Sequence, residues 1–342
     1  MDYKLSKIQS DELFSKLKKD YLILAPKVFK GEGRYSDLDS IRYGEVSSFE
    51  EIEFERKSHY SAKEVLLPIN HIIEVKYNGQ SMKINNDSKK RLIVLRSCDI
   101  HALKRIDNKF LNDEYYRARR ENVKFMVMEC SKSFDTCFCV TMGTNQTEDY
   151  SLGIRFLDDG ILIKNKDDDF NKYFDDDIPK YKFDINFVKE NETNVNIPDI
   201  KEWDRETLLK AKSLSLWDEY KKRCIGCGSC NMSCPTCTCL TTNEIKNENT
   251  GVTEIRRIWS GCQLVKSASF KDGKKISDIV PKRISQRVFD KFYMPKLKTS
   301  NEQICVGCGR CTDNCPRLIS FSTTVNRFSQ ELDKIYVEEG LK

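Results

Sequence analysis

Eight of the fifteen cysteines fall into two copies of one pattern. Residues 224–235 read Cys-Ile-Gly-Cys-Gly-Ser-Cys-Asn-Met-Ser-Cys-Pro, with Cys224, Cys227, Cys230 and Cys234 ahead of Pro235. Residues 305–316 read Cys-Val-Gly-Cys-Gly-Arg-Cys-Thr-Asp-Asn-Cys-Pro, with Cys305, Cys308, Cys311 and Cys315 ahead of Pro316. Both follow C-x2-C-x2-C-x3-C-P, the spacing that wraps a bacterial-type cubane iron–sulfur cluster. Thiolates so spaced reach three irons from one loop, and Gly226, Gly228, Gly307 and Gly309 can take φ > 0, letting backbone amides approach the sulfides. The fourth cysteine of such a run ligates the neighbouring cluster. The expected sets are therefore Cys224, Cys227, Cys230 and Cys315 for one [4Fe-4S] cluster, and Cys305, Cys308, Cys311 and Cys234 for the other. Structural zinc is the alternative, but zinc usually takes separated C-x2-C pairs rather than a four-cysteine run closed by proline.

A second thiol group lies earlier in the chain. Residues 91–96 and 123–128 read as short apolar strands flanking a charged, helix-forming stretch at 100–121. Strand, helix and strand in about 40 residues make a βαβ unit with parallel strands; as neighbours they would lie about 4.8 Å apart. Cys98 and Cys130 then emerge at one carboxyl edge, where α/β sheets usually place their sites, and Cys137 and Cys139 follow shortly after. These four thiols are the candidate ligands of a third cluster; structural or redox thiols are the other reading, since cysteine is among the most buried residue types. Asp99 is a possible substitute ligand, or the cap of the helix that follows.

The elements around these residues can be read in outline. Leu5, Ile8, Leu13, Phe14 and Leu17 have helical spacing, predicting a helix over 1–19. Tyr21 to Phe29 reads as a strand or, because of Pro26, an edge strand. Residues 31–37 form a turn-rich loop without the third glycine of a nucleotide fingerprint. Asp158-Asp159-Gly160 marks a hairpin within 150–188, residues 189–200 read as a linker, and helical patterning from 201 through Leu208, Leu209, Leu214, Leu216 and Trp217 leads into the first cysteine run. Composition places the domain boundary near residue 200. Residues 149–206 carry 9 basic and 16 acidic groups, and residues 207–342 carry 23 basic and 14 acidic groups.

The 70 residues between Cys234 and Cys305 exceed what a small two-cluster ferredoxin needs. Their basic excess, including Arg256, Arg257, Lys282, Arg283 and Arg287, is either a solvated face or a docking surface for an acidic redox partner. Nucleic-acid binding would ask for a denser basic patch with stacking aromatics. Cys237, Cys239 and Cys262 are not assigned as ligands. His59, His71 and His101 form no ligand set, and no catalytic residues are expected. No stretch approaches the ~20 apolar residues of a membrane span, and the start lacks an apolar signal region, so the expected location is cytoplasmic, in a reducing or anaerobic setting.

Beyond these local readings, the chain resembles the iron–sulfur electron-transfer component of the anaerobic, siroheme-dependent, three-subunit sulfite reductases. The resemblance runs through Gly31-Glu-Gly-Arg-Tyr-Ser-Asp-Leu-Asp39, Lys57-Ser-His59, Ser97-Cys-Asp-Ile-His-Ala102, Glu129-Cys130 and Cys137-Phe-Cys-Val-Thr-Met-Gly-Thr-Asn145. It continues through Cys234-Pro-Thr-Cys-Thr-Cys239, Arg256-Arg-Ile-Trp-Ser-Gly-Cys262 and both cysteine runs. The same skeleton is similar to the β subunits of soluble nickel–iron sulfhydrogenases. The resemblance implies an α+β protein, with an α/β domain over 1–200 followed by a helical-ferredoxin-like two-cluster domain over 201–342. It further implies a non-catalytic electron-transfer subunit. Its partners would be a flavin-bearing, NADH-oxidising subunit, which supplies electrons, and a siroheme subunit that reduces sulfite to sulfide. The alternative is the β subunit of a sulfhydrogenase.

Overall fold

The computed structural model of the chain describes residues 1–33, 37–84, 89–197, 205–264, 281–293 and 303–338. The fold is α+β, with two compact units that interleave along the sequence rather than meeting once near residue 200. The first comprises Met1–Ser133, Thr144–Glu190 and Thr242–Ile258; the second comprises Phe134–Gly143, Asn191–Thr241 and Trp259–Lys342.

In the first unit, β1 (Asp2–Ser6), α1 (Lys7–Asp20), β2 (Leu22–Phe29) and β3 (Ser40–Glu45) precede a short helix α2 (Lys63–Leu66). The strands β4 (Asn70–Tyr77), β5 (Gln80–Lys83) and β6 (Arg91–Leu95) follow, then α3 (Ser97–Phe110), α4 (Glu114–Arg120), β7 (Val123–Met128), β8 (Leu152–Leu157) and β9 (Gly160–Asn165). A seven-stranded sheet has the order β1-β9-β8-β7-β6-β2-β3. Its centre is parallel, β2 with β6, β6 with β7 and β7 with β8, and the outer pairs are antiparallel. The expected βαβ unit is therefore present, with Leu95 opposite Val127, and the hairpin at Asp158–Asp159 joins β8 to β9. β6 is buried throughout, as a strand covered on both faces must be.

Four local expectations change. Residues 2–6 are a strand, not the start of the first helix: Leu5 is fully buried opposite Ile161, and Ile8 is exposed. Ser6 and Gln9 form a capping box that starts α1 at Lys7, so side-chain capping overrides the helical spacing. β2 lies inside the sheet, and Pro26 is tolerated because pairing with β6 ends at Leu24. The helix expected over 100–121 begins at Ser97 and is broken before Asp113, whose side chain caps α4. Asp99 is thus in the first turn of α3 rather than its cap; its buried carboxylate accepts a hydrogen bond from Tyr43 at 3.3 Å.

The stretch between the cysteine runs, expected to be helical, supplies two strands, β10 (Leu240–Lys246) and β11 (Thr253–Trp259), to a second sheet of order β10-β11-β4-β5. The turn between them is chemically legible. Asn247 Oδ1 accepts from the backbone of Asn249 and Thr250, and Gly251 takes φ 69°.

The histidines are structural. His71 stacks on Tyr115 at 4.3 Å and places Nδ1 3.0 Å from the Pro68 carbonyl. Burial lowers its pKa from 6.5 to about 4. The fold therefore favours the neutral ring, while the unfolded chain takes up a proton below pH 6.5, so stability is full above 6.5 and declines towards pH 4. His71→Phe is expected to remove that decline, about 1–2 kcal/mol at pH 4 once solvent screening of the ring reduces the full linkage value of about 3 kcal/mol. Amide exchange of the first unit across this range is the check, and an unchanged slope would count against it.

The second unit is mainly helical: α5 (Arg205–Lys212), α6 (Leu216–Arg223), the single turn α7 (Ser229–Met232), α8 (Pro281–Val288), a π turn at Phe289–Tyr293, a turn at Arg310–Asp313 and the long helix Phe321–Glu338. The helix expected from 201 is two helices, separated at 213–215; residues 201–204 lie outside the described residues. Trp217, Val288, Phe289, Phe292, Val325, Phe328 and Leu332 form the centre of an apolar core, against which Cys224, Cys305, Cys311 and Cys315 pack. Residues 191–197, expected as linker, are tied into this unit: Val195 is buried, Asn196 N donates to Asn326 Oδ1 (2.7 Å), and Asn326 Nδ2 donates to the Asn194 carbonyl (2.9 Å).

Candidate metal centres

Each cysteine run folds the same way. Gly226 and Gly228 have φ of 68° and 75°, and Gly307 and Gly309 have 64° and 71°. The second glycine of each pair caps a one-turn helix bearing the third cysteine. The requirement for glycine is strict at Gly307. A Cβ there would lie 2.5 Å from the Phe138 carbonyl carbon and oxygen, on a backbone conformation that already disfavours a side chain.

The two runs enclose two hollows. Cys224, Cys227, Cys230 and Cys315 line the first; Cys234, Cys305, Cys308 and Cys311 line the second, and Cys311 also borders the first. The fourth cysteine of each run thus stands with the first three of the other. Electrostatic neighbours agree, Cys224 with Cys315 and Cys305 with Cys234. The hollows contain about 520 and 320 Å³ not filled by protein, open mouths included. Among the described residues no three His, Cys, Asp or Glu side chains are grouped for a single metal ion. Four soft sulfur donors around a roomy, largely apolar space are the donor set of a cubane, and the residues fit that group.

The charges around the thiols fit it as well. Burial pushes Cys230 and Cys305 up to about 12, and Cys224 and Cys311 upward; without compensating charge these groups would stay protonated. Burial acts on Cys234 in the same sense, but Lys291 and Arg287 beside it outweigh that and hold its pKa below the ordinary thiol range. Lys291 is buried and donates to the Thr236 carbonyl (3.0 Å) and hydroxyl (2.9 Å), fixing the loop after Pro235. Arg287 borders both hollows.

This corrects one expectation. The basic residues proposed as a docking surface are not a solvated patch: Arg283 and Arg287 are 2% and 3% exposed. Arg257 pairs with both carboxylate oxygens of Asp113 at 2.7 and 3.1 Å, and Arg256 pairs with Glu254. The Lys282 side chain lies outside the described residues. The sequence did hold a signal: Arg283 and Arg287, four apart, share a helix face next to Ile284 and Val288.

Of the remaining cysteines, Cys98 lies in the first turn of α3 and Cys130 two residues beyond β7, both in the first unit at the carboxyl ends of β6 and β7. Cys137 and Cys139 belong to the second unit. There Phe138 N donates to the Gly307 carbonyl (2.7 Å), Cys137 Sγ lies 3.5 Å from the Cys308 carbonyl, and Asn191 Nδ2 lies 3.6 Å from Cys139 Sγ. Cys237 and Cys262 share one donor, Nδ2 of buried Asn231, at 3.3 and 3.6 Å, and Cys239 is exposed. Asn231 and Lys291 were not singled out by sequence reasoning, since nothing local distinguishes them from surface polar residues.

The second unit thus brings both cysteine runs together. The family model described as a 4Fe-4S dicluster domain matches residues 223–319, so the chain carries a ferredoxin-type domain for [4Fe-4S] clusters. Over 324 residues the chain is 26% identical to sulfhydrogenase 2 subunit beta of Pyrococcus furiosus, a similarity covering 90% of this chain and 92% of that protein. No solved structure matches significantly. Among the described residues no helix is long and apolar enough to cross a membrane.

Proposed function

We propose that this chain is the electron-transfer subunit of a multi-subunit oxidoreductase, holding two [4Fe-4S] clusters through crossed cysteine runs. The observation that carries the proposal is the pair of hollows, each bringing three cysteines of one run together with the fourth of the other, with Cys311 bordering both. Bound there, cubanes supply one-electron redox steps. The chain's own residues hold them by thiolate, exclude water with the Trp217–Phe328 core, and offset their negative charge with Arg287 and Lys291. No substrate site is assigned to this subunit.

Similarity over nearly the whole chain to a subunit of a sulfhydrogenase favours a hydrogenase-type complex over the siroheme-dependent sulfite reductase. The second reading keeps its support from the Cys137-Phe-Cys-Val-Thr-Met-Gly-Thr-Asn145 and Cys234-Pro-Thr-Cys-Thr-Cys239 segments. In it the partners are an NADH-oxidising flavoprotein and a siroheme protein. Purifying the complex anaerobically decides between them: nickel with hydrogen-dependent activity supports the first, siroheme with sulfite-dependent NADH oxidation the second, and zinc without iron would overturn both. A third cluster on Cys98, Cys130, Cys137 and Cys139 remains part of the proposal. About 12 irons per chain would support it, and about 8 would leave only the ferredoxin pair.

A further inference from the structure

We propose that Arg287 is a fixed positive charge shared by the two cluster sites, raising the reduction potential of both. The inference rests on the two-cluster reading above and goes beyond it, to what sets the energetics of the pair. Arg287 projects from α8, is 3% exposed and borders both hollows. Its Nε and Nη1 have no hydrogen-bond partner among the described residues, and its guanidinium, an electrostatic neighbour of the Cys311 thiol, stacks 5.1 Å from the Phe321 ring centroid. Among the described residues it forms no salt bridge with a carboxylate. Asp290, the carboxylate one turn away, is engaged by Gln286 at 2.6 Å and pushed towards its neutral form by burial.

A buried guanidinium left this way is costly unless anionic groups stand around it. The groups that do so are sulfurs from both runs, namely Cys230, Cys311 and Cys234, together with Cys237. A thiolate-ligated cubane is a net anion whose negative charge grows on reduction, so a nearby cation stabilises the reduced form more than the oxidised form. In a water-poor interior the effect is little screened. Because the same cation faces both hollows, it acts on both couples. Lys291 provides the internal contrast, since it borders only the second hollow and its ammonium is committed to Thr236.

The test is a redox titration of the full chain, purified anaerobically with its clusters, followed by electron paramagnetic resonance alongside iron and sulfide counts. In Arg287→Gln both couples should fall, each by tenfold or more in the reduction equilibrium, which for one electron is 59 mV. In Lys291→Gln only the couple of the cluster held by Cys305, Cys308, Cys311 and Cys234 should fall. Full iron content in Arg287→Gln with one couple or neither displaced would overturn the inference while leaving the two-cluster reading intact. Should Arg287→Gln lose iron, Arg287→Lys carries the test: retention of both couples within tenfold of the parent supports a charge effect. A fall of both beyond that, with the charge retained, overturns it. Absence of iron from the parent protein would sink the two-cluster reading itself.

Discussion

Replacing Cys234 with serine is expected to disable the cluster of the other run, not its own. Cys234 lines the hollow of Cys305, Cys308 and Cys311, while Cys224, Cys227 and Cys230 are completed by Cys315. Cys234→Ser should therefore lower iron by about four atoms per chain, or leave an altered, more labile cluster, at the second site. Cys315→Ser should do the same at the first. The paramagnetic signals of the two variants should be complementary, each lacking what the other keeps. Loss of the same signal in Cys234→Ser and Cys224→Ser would overturn the crossed arrangement. In either serine variant, electron flow through the protein should collapse, because a relay of two clusters loses one of its carriers.

The second large effect is on the holder. Trp217 is 2% exposed, packs against Phe328 and Phe289 with ring centroids 5.3 and 6.5 Å away, and donates Nε1–H to the Ala211 carbonyl at 2.9 Å. Trp217→Ala should cost about 3–5 kcal/mol through lost burial and the cavity left behind. Unfolding of a cluster protein is seldom reversible, so the useful measurement is the rate of cluster bleaching on heating. That rate should rise at least tenfold, whereas Leu209→Ala, at a position 56% exposed in α5, should leave it nearly unchanged. Equal bleaching in the two variants would show that this core does not protect the clusters.

The cysteine runs expected to hold the clusters were legible because they are a local code. Three thiols at x2 spacing reach one cluster from one loop, so ligand identity is written within twelve residues. The glycines that permit the loop are part of the same code, and all four take positive φ. The βαβ unit carrying Cys98 and Cys130 was legible for a similar reason: two apolar runs separated by one helical stretch have few ways to pack. Turn chemistry was readable at Asp158–Gly160 and passed over at Asn247–Gly251, where the same rules held. At Leu5 and Ile8 the apolar spacing pointed to helix, but β9 offered Leu5 a strand partner and Ser6 offered the helix a later start.

Where each charge ends up is not a local property. Arg283, Arg287 and Lys291 look in the sequence like members of a basic surface, and the fold buries all three. A cation can be buried only where opposite charge awaits it, and here that charge comes from cysteines brought together from both runs and from the cluster they are built to hold. Residues 191–197 have the composition of a linker, yet hydrogen bonds to the helix Phe321–Glu338, more than a hundred residues away, bind them into the second unit. The linear order thus set the expected chemistry and its expected ligands, the crossed fourth cysteines included, because coordination is set by the spacing of each run. Tertiary structure decided which cations lie against those thiols, because that depends on groups that meet only when distant segments pack.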